Sequence, residues 1–114
     1  MAEEIITYIL EHSRQKPIII IQGDHGSGYH LDWASQENTC LRERFSILNA
    51  YYLPGKKKVN LYPSITPVNS FRVVFNAYFK ANLPMLPDRS YYSTWDQPYD
   101  LHEVTGKWEQ TCAR

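Results

Sequence analysis

The residues best suited to chemistry are Asp24 and His25, which lie between Gly23 and Gly26. A carboxylate oxygen and an imidazole nitrogen are ligands for Zn²⁺ or Mn²⁺, and the flanking glycines permit the sharp turn that aims both side chains at one ion. In the alternative interpretation, Asp24 caps a turn and His25 is an ordinary loop residue. The spacing of two residues leaves both interpretations open.

The element that must position this pair is the run Pro17-Ile18-Ile19-Ile20-Ile21-Gln22, which directly precedes Gly23. A β-branched run without polar alternation is typical of a strand that is covered on both faces. The glycine-rich stretch then predicts a loop at the carboxyl end of a buried strand. Open α/β sheets bind their ligands at that position.

The rest of the chain predicts helices and strands around this strand. We expect an amphipathic helix from Glu3 to Arg14, a helical turn from Thr39 to Arg44, a strand from Phe45 to Tyr52, a helix that Thr66 caps with Pro67 at its first position, and a short strand from Leu101 to Val104. The predicted fold class is α/β, a small and mostly parallel sheet flanked by helices. Residues 1–114 are expected to form a single domain.

The segment from Pro17 to Gly26 resembles the late metal-binding strand and loop of the alkaline phosphatase superfamily, which includes sulfatases and phosphoglycerol transferases. The similarity continues to about residue 82, through Leu41-Arg42-Glu43-Arg44-Phe45, Tyr52-Leu53-Pro54-Gly55 and Ser64-Ile65-Thr66-Pro67-Val68-Asn69-Ser70-Phe71. The resemblance implies a partial alkaline-phosphatase-like domain, a phosphate or sulfate ester as substrate, and Asp24 and His25 as ligands of one divalent metal ion. That ion is Mn²⁺, Zn²⁺, Mg²⁺ or Ca²⁺.

The chain also departs from the family's pattern. The family's nucleophile and remaining acidic ligands lie in an earlier half of the domain, which has no counterpart in these residues. The later histidine of two-metal members is usually followed by glycine, whereas His102 is followed by Glu103. We therefore expect one metal site, which His30 or Asp32 could complete unless they are solvated loop residues.

These departures predict a fragment of a metal-dependent phosphate- or sulfate-ester hydrolase or transferase that is inactive alone. The alternative is a non-enzymatic, oligomeric binding or interaction module derived from the same fold. A truncated sheet exposes edges and apolar faces, so we expect either a homo-oligomer or pairing with a missing amino-terminal half-domain.

Composition excludes several other classes of function. Twelve basic residues balance twelve acidic ones, with one local excess at 56–58, so no broad positive field exists for nucleic acid or an anionic membrane. No apolar run approaches the ~20 residues of a membrane span, and the first residues are acidic, so we expect a cytoplasmic location for the chain as written. Cys40 and Cys112 are expected to be free thiols.

Several aromatic side chains allow two interpretations. They are either packing residues with a polar tip in water or stacking platforms for sugars or bases, and the group comprises Tyr51, Tyr52, Tyr91, Tyr92 and Trp95.

Overall fold

The computed structural model describes residues 1–55, 58–109 and 112, so two of the three lysines at 56–58 lie outside the described residues. In chain order the elements are α1 (Ala2–His12), β1 (Ile19–Gln22), α2 (Leu41–Phe45), β2 (Asn49–Tyr52), α3 (Pro67–Phe79), β3 (Tyr91–Tyr92), β4 (His102–Glu103) and a 3₁₀ turn (Lys107–Glu109). Each predicted helix and strand therefore has a counterpart in the structure. None of the described helices is long and apolar enough to cross a membrane.

The predicted parallel sheet is wrong. β1 pairs antiparallel with β2 in the register Ile19 opposite Tyr52, and β3 pairs antiparallel with β4 in a second, separate ribbon. The described residues thus form two small antiparallel sheets and three α-helices, not a parallel sheet flanked by helices.

The physical reason lies in what an apolar run specifies. The four residues of β1 are all half-buried, so the isoleucine run does signal partial cover on both faces. Burial of both faces does not determine whether the neighbouring strand runs parallel or antiparallel, however. That direction depends on the path of the chain between the two strands. Here the connection contains only the single turn of α2 before the chain enters β2 antiparallel to β1.

The amino terminus of α3 is anchored by Asp88. Thr66 is the N-cap residue, and Pro67 occupies the first turn, as predicted, but the Thr66 hydroxyl donates to Asp88 Oδ1 at 2.5 Å and makes no cap hydrogen bond. The same carboxylate accepts hydrogen bonds from the Thr66 amide, the Tyr62 hydroxyl and the Asn69 side chain. Burial raises the pKa of Asp88, but the hydrogen bonds from Thr66 and Tyr62 outweigh burial, so the pKa lies below its ordinary value of 3.8.

The apolar core is small. Leu41, Tyr92 and Val104 form its buried centre, and Leu31 and Phe45 pack against them. The protein exposes 9045 Å², whereas a folded monomer of this mass exposes about 6,500 Å². Its radius of gyration is 17.2 Å, against about 13 Å for a compact domain of this length. The chain is therefore an open structure with much uncovered apolar surface.

The expectation of free thiols is wrong. Cys40 and Cys112 form a disulfide, with their Cα atoms 5.0 Å apart, in the usual range for such bonds. Cys40 directly precedes α2, and the 3₁₀ turn that leads toward Cys112 places Trp108 beside Phe45, with ring centroids 6.2 Å apart. The bond therefore fastens the carboxyl-terminal segment to α2.

Candidate functional site

The loop that carries Asp24 and His25 continues directly from the β1–β2 ribbon. The amide of Gly23 donates to the carbonyl of Leu48 at 2.8 Å, which extends the pairing by one hydrogen bond beyond the strand. The amide of Gly26 then donates to the carbonyl of Arg44 at 2.8 Å. These two bonds hold Asp24 and His25 between the ribbon and the end of α2.

Gly26 is required by this close approach. A Cβ atom at Gly26 would overlap the carbonyl oxygen of Glu43 and lie 2.6 Å from that of Ser46. Both neighbours are backbone atoms, which cannot turn aside as a flexible side chain can. Gly28, by contrast, has open space where a Cβ would stand.

The side chains of Asp24 and His25 are arranged as metal ligands often are. The His25 Nδ1–H donates to the carbonyl of Gly26 at 2.7 Å, which fixes the tautomer and leaves the Nε2 lone pair free. Asp24 Oδ1 accepts from the His25 amide at 3.0 Å, which is the turn-capping role of the alternative interpretation. Asp24 Oδ2 lies 3.8 Å from His25 Nε2, too far for a hydrogen bond between them.

The donor set fits a divalent ion as part of its coordination shell. Two atoms that each bind Zn²⁺ at about 2.1 Å lie no more than about 4.2 Å apart, and the separation of 3.8 Å meets that limit. No cluster of three or more His, Cys, Asp or Glu side chains with metal-binding geometry occurs among the described residues. Asp24 and His25 alone would supply two of the three or more ligands that a metal site normally needs.

Both side chains line an open cavity of about 1190 Å³, which also receives Arg44 and Arg89. Arg89 has a carboxylate partner, Glu103, at 3.8 Å, and hydrogen bonding to Tyr91 together with Glu103 raises the pKa of this guanidinium. No described carboxylate lies within ion-pair distance of Arg44, whose guanidinium instead packs over the Trp33 ring at 5.9 Å. The cavity thus combines two candidate metal ligands with a guanidinium that has no carboxylate partner among the described residues.

The structure does not bring His30 or Asp32 to the pair. His30 Nδ1 donates to Glu43 Oε2 at 3.0 Å, and neither His30 nor Asp32 lines the cavity. The Asp32 carboxylate closes its own turn by accepting from the Ala34 amide and the Asn38 side chain, and these bonds lower the pKa of Asp32. Both residues have local structural roles.

His102 is also separate from the cavity. It lies in β4 opposite Tyr92, and its Nε2 is 3.1 Å from Asp100 Oδ2, an exposed pair at hydrogen-bond distance. The chain therefore carries two Asp–His pairs, at 24–25 and at 100–102, with different geometry.

No family model, curated protein or solved structure matches this chain.

Sequence reasoning missed the two arginines of the cavity. Arg44 stands in the segment 41–45 that carries part of the resemblance, but its single position has no periodicity or motif that marks an anion-binding residue. Arg89 follows Asp88 in a proline-rich stretch with no pattern at all. Of the aromatic candidates, Tyr92 is a packing residue whose hydroxyl donates to the Asp32 carbonyl at 2.6 Å, whereas Trp95 stays three-quarters exposed.

Proposed function

We propose that these residues form the late, metal-binding part of a metal-dependent phosphate- or sulfate-ester hydrolase or transferase, and that another polypeptide segment supplies the nucleophile. The observation that carries the proposal is the placement of Asp24, His25 and Arg44 around one cavity. A metal ion and a guanidinium are both suited to the oxygens of a tetrahedral oxyanion. The resemblance of residues 17–82 to the alkaline phosphatase superfamily supports the same class of reaction.

Each residue has a distinct role in this proposal. Asp24 Oδ2 and His25 Nε2 would hold the divalent ion, and the Gly26 carbonyl keeps the imidazole proton on Nδ1, so that Nε2 remains available as a ligand. When bound, the ion supplies Lewis-acid polarisation of an ester oxygen and lowers the pKa of the attacking group. Arg44 binds the remaining anionic oxygens through its fork of N–H donors.

The chain by itself is proposed to bind the anion without turning an ester over. Asp24 and His25 leave the coordination shell incomplete, and the resemblance places the nucleophile outside these residues. The Cys40–Cys112 disulfide favours an oxidising compartment over the cytoplasmic location expected from the sequence, because cytoplasmic thiols are kept reduced.

The test is a calorimetric titration of sulfate and of methylphosphonate, a non-hydrolysable analogue, into the protein with and without Mn²⁺. We expect Mn²⁺ to tighten anion binding at least ten-fold, and Asp24→Asn to remove that gain. Asp100→Asn is the matched control, because it changes the other Asp–His pair and leaves the cavity intact. Anion binding that ignores Mn²⁺, or that responds equally in both variants, would contradict the proposal.

A second function, that of an oligomeric interaction module, is supported by the uncovered surface. The exposed area exceeds that of a compact monomer by roughly 2,500 Å², which is the scale of a stable protein interface. α1 has no buried residue, although Ile5, Tyr8 and Leu10 give it an apolar character. A second copy of the chain or the missing half-domain is the proposed partner for this surface.

Sedimentation equilibrium distinguishes the two proposed partners, a second copy of the chain and another half-domain. A homo-oligomer predicts a mass that is a multiple of 13.4 kDa and falls to the monomer in an Ile5→Glu, Tyr8→Glu variant. A mass of 13.4 kDa in a well-folded wild-type protein would contradict self-association. Glu3→Gln, Glu11→Gln is the matched control, because it alters charged residues of α1 and keeps its apolar side chains.

A further inference from the structure

A pair of exposed tryptophans stands beside the cavity. Trp33 is 57% exposed and Trp95 is 74% exposed, and their rings meet nearly at right angles, 82°, with centroids 5.6 Å apart. Exposure of large apolar rings to water is unfavourable. Adjacent exposed indoles are therefore typical of a binding surface.

Backbone hydrogen bonds preorganise this pair. The amide of Trp95 donates to the carbonyl of Trp33 at 2.9 Å, and the Tyr92 hydroxyl donates to the carbonyl of Asp32 at 2.6 Å. Asp32 and Thr39 close the turn that carries Trp33 through hydrogen bonds at 3.0 Å in both directions. These bonds hold the backbone of Trp33 and Trp95 together, so the two indoles start from neighbouring, tied positions.

The pair lines a shallow, open depression of the surface together with Ala34 and Asp96. The lining offers two aromatic rings, a methyl group and one carboxylate. No described residue makes a hydrogen bond or ion pair with the Asp96 side chain. A site with a negative charge and aromatic rings, but without a hydrogen-bond donor among its charged groups, is complementary to a cation with an apolar surface.

Two charged groups lie at the pair. The Arg44 guanidinium lies over the Trp33 ring at 5.9 Å, so that indole already contacts a cation in this structure. Trp95 has no cation over its ring among the described residues, and the Asp96 carboxylate follows it directly in the chain. Trp95 and Asp96 therefore offer an aromatic ring and a negative charge to a second cation, with Trp33 beside them.

We propose that Trp33, Trp95 and Asp96 form a binding site for a quaternary alkylammonium group. The two indoles contact the methyl groups and stabilise the positive charge, and the Asp96 carboxylate supplies the opposite charge. This site needs neither a metal ion at Asp24 and His25 nor an ester bond, so it goes beyond the proposed function.

The test uses choline and its neutral isostere 3,3-dimethylbutan-1-ol, observed by saturation-transfer NMR on the methyl protons of the ligand. We expect saturable binding of choline and at least ten-fold weaker binding of the isostere. Trp95→Leu is expected to weaken choline binding at least ten-fold, and Asp96→Asn about three-fold. Tyr99→Leu, which removes an aromatic ring that is 95% exposed, is the matched control and should have no effect.

The far-UV circular dichroism spectrum and the melting temperature show whether each variant is folded. If Trp95→Leu unfolds the protein, Asp96→Asn still tests the site, because it leaves both indoles in place. Equal affinity for choline and the isostere would overturn the proposal, because the site would then recognise only apolar surface. Choline binding that is unchanged in both Trp95→Leu and Asp96→Asn, or absent from the wild-type protein, would also overturn it.

Discussion

The two Asp–His pairs of this chain contain the same functional groups in different settings. At 100–102 the imidazole Nε2 and a carboxylate oxygen are 3.1 Å apart, at hydrogen-bond distance, and both side chains are more than half exposed. At 24–25 the corresponding atoms are 3.8 Å apart, His25 Nδ1 donates to a backbone carbonyl, and both residues line a cavity that Arg44 also lines. A partner on one ring nitrogen leaves the other nitrogen available as a ligand in either pair, so the difference between the two pairs is the cavity and the arginine beside the first one.

The largest change is expected in stability, from a substitution that disrupts the packed loop carrying Asp24 and His25. Gly26→Ala places a Cβ among the backbone carbonyls of residues 43–46, so we expect the free energy of unfolding to fall by about 3 kcal/mol. Urea denaturation measures this change. Gly28→Ala, where a Cβ meets open space, should change the free energy of unfolding by less than about 0.5 kcal/mol. Equal losses in the two variants would show that the loop is not packed against α2.

The next largest change is expected in Mn²⁺ affinity, when the histidine of each pair is replaced. His25→Ala should weaken Mn²⁺ binding at least thirty-fold, or about 2 kcal/mol, because it removes one of the two proposed ligands that line the cavity. His102→Ala should change Mn²⁺ affinity less than two-fold. Calorimetry on the metal-stripped proteins measures both values. A larger loss in His102→Ala would reverse the assignment of the two pairs.

Asp88 is a third carboxylate for comparison, and its hydrogen bonds stabilise the start of α3. Because its pKa is lower in the folded protein than its ordinary value of 3.8, Asp88 contributes stability that is fully present above about pH 5 and is lost as the pH falls through the folded pKa. We expect Asp88→Asn to cost about 1.5 kcal/mol at pH 7 and progressively less below about pH 4. Chemical denaturation from pH 7 to pH 3 measures the difference, and a cost that does not depend on pH would contradict this role.

The smallest expected effect separates the two arginines of the cavity. Arg44→Gln should weaken sulfate binding to the Mn²⁺-loaded protein about five-fold, because Arg44 has no described carboxylate partner. Arg89→Gln should weaken it less than two-fold, because Glu103 already offsets the charge of Arg89. Calorimetric titration of sulfate compares them, and a greater effect at Arg89 would place the anion on the other side of the cavity.

The sequence predicted the positions of the elements but not their arrangement. The helix period and the Thr66-Pro67 start signal are local, so α3 begins where it was expected. The isoleucine run was recognised as a strand, yet its antiparallel pairing with β2 depends on the path of the whole connection. The disulfide likewise joins residues 72 positions apart, which no local pattern indicates.

The same distinction applies to the candidate site. Asp24 and His25 stand out because glycines flank them directly after a strand, and the structure places both at one cavity. Arg44 lies in α2, and the amide of Gly26 donates to its carbonyl, a contact between segments that are distant in sequence. Residues that act through long-range packing carry no signal in a single sequence.

The central claim, that a divalent ion binds at Asp24 and His25, is tested most directly by titrating Mn²⁺ into isotopically labelled protein and following the amide NMR signals. Paramagnetic broadening is strongest for the amides nearest the ion. We expect substoichiometric Mn²⁺ to broaden the signals of Asp24, His25 and Gly26 first, while those of residues 100–102 persist. Broadening that begins at residues 100–102, or that spreads evenly over exposed carboxylates, would contradict it.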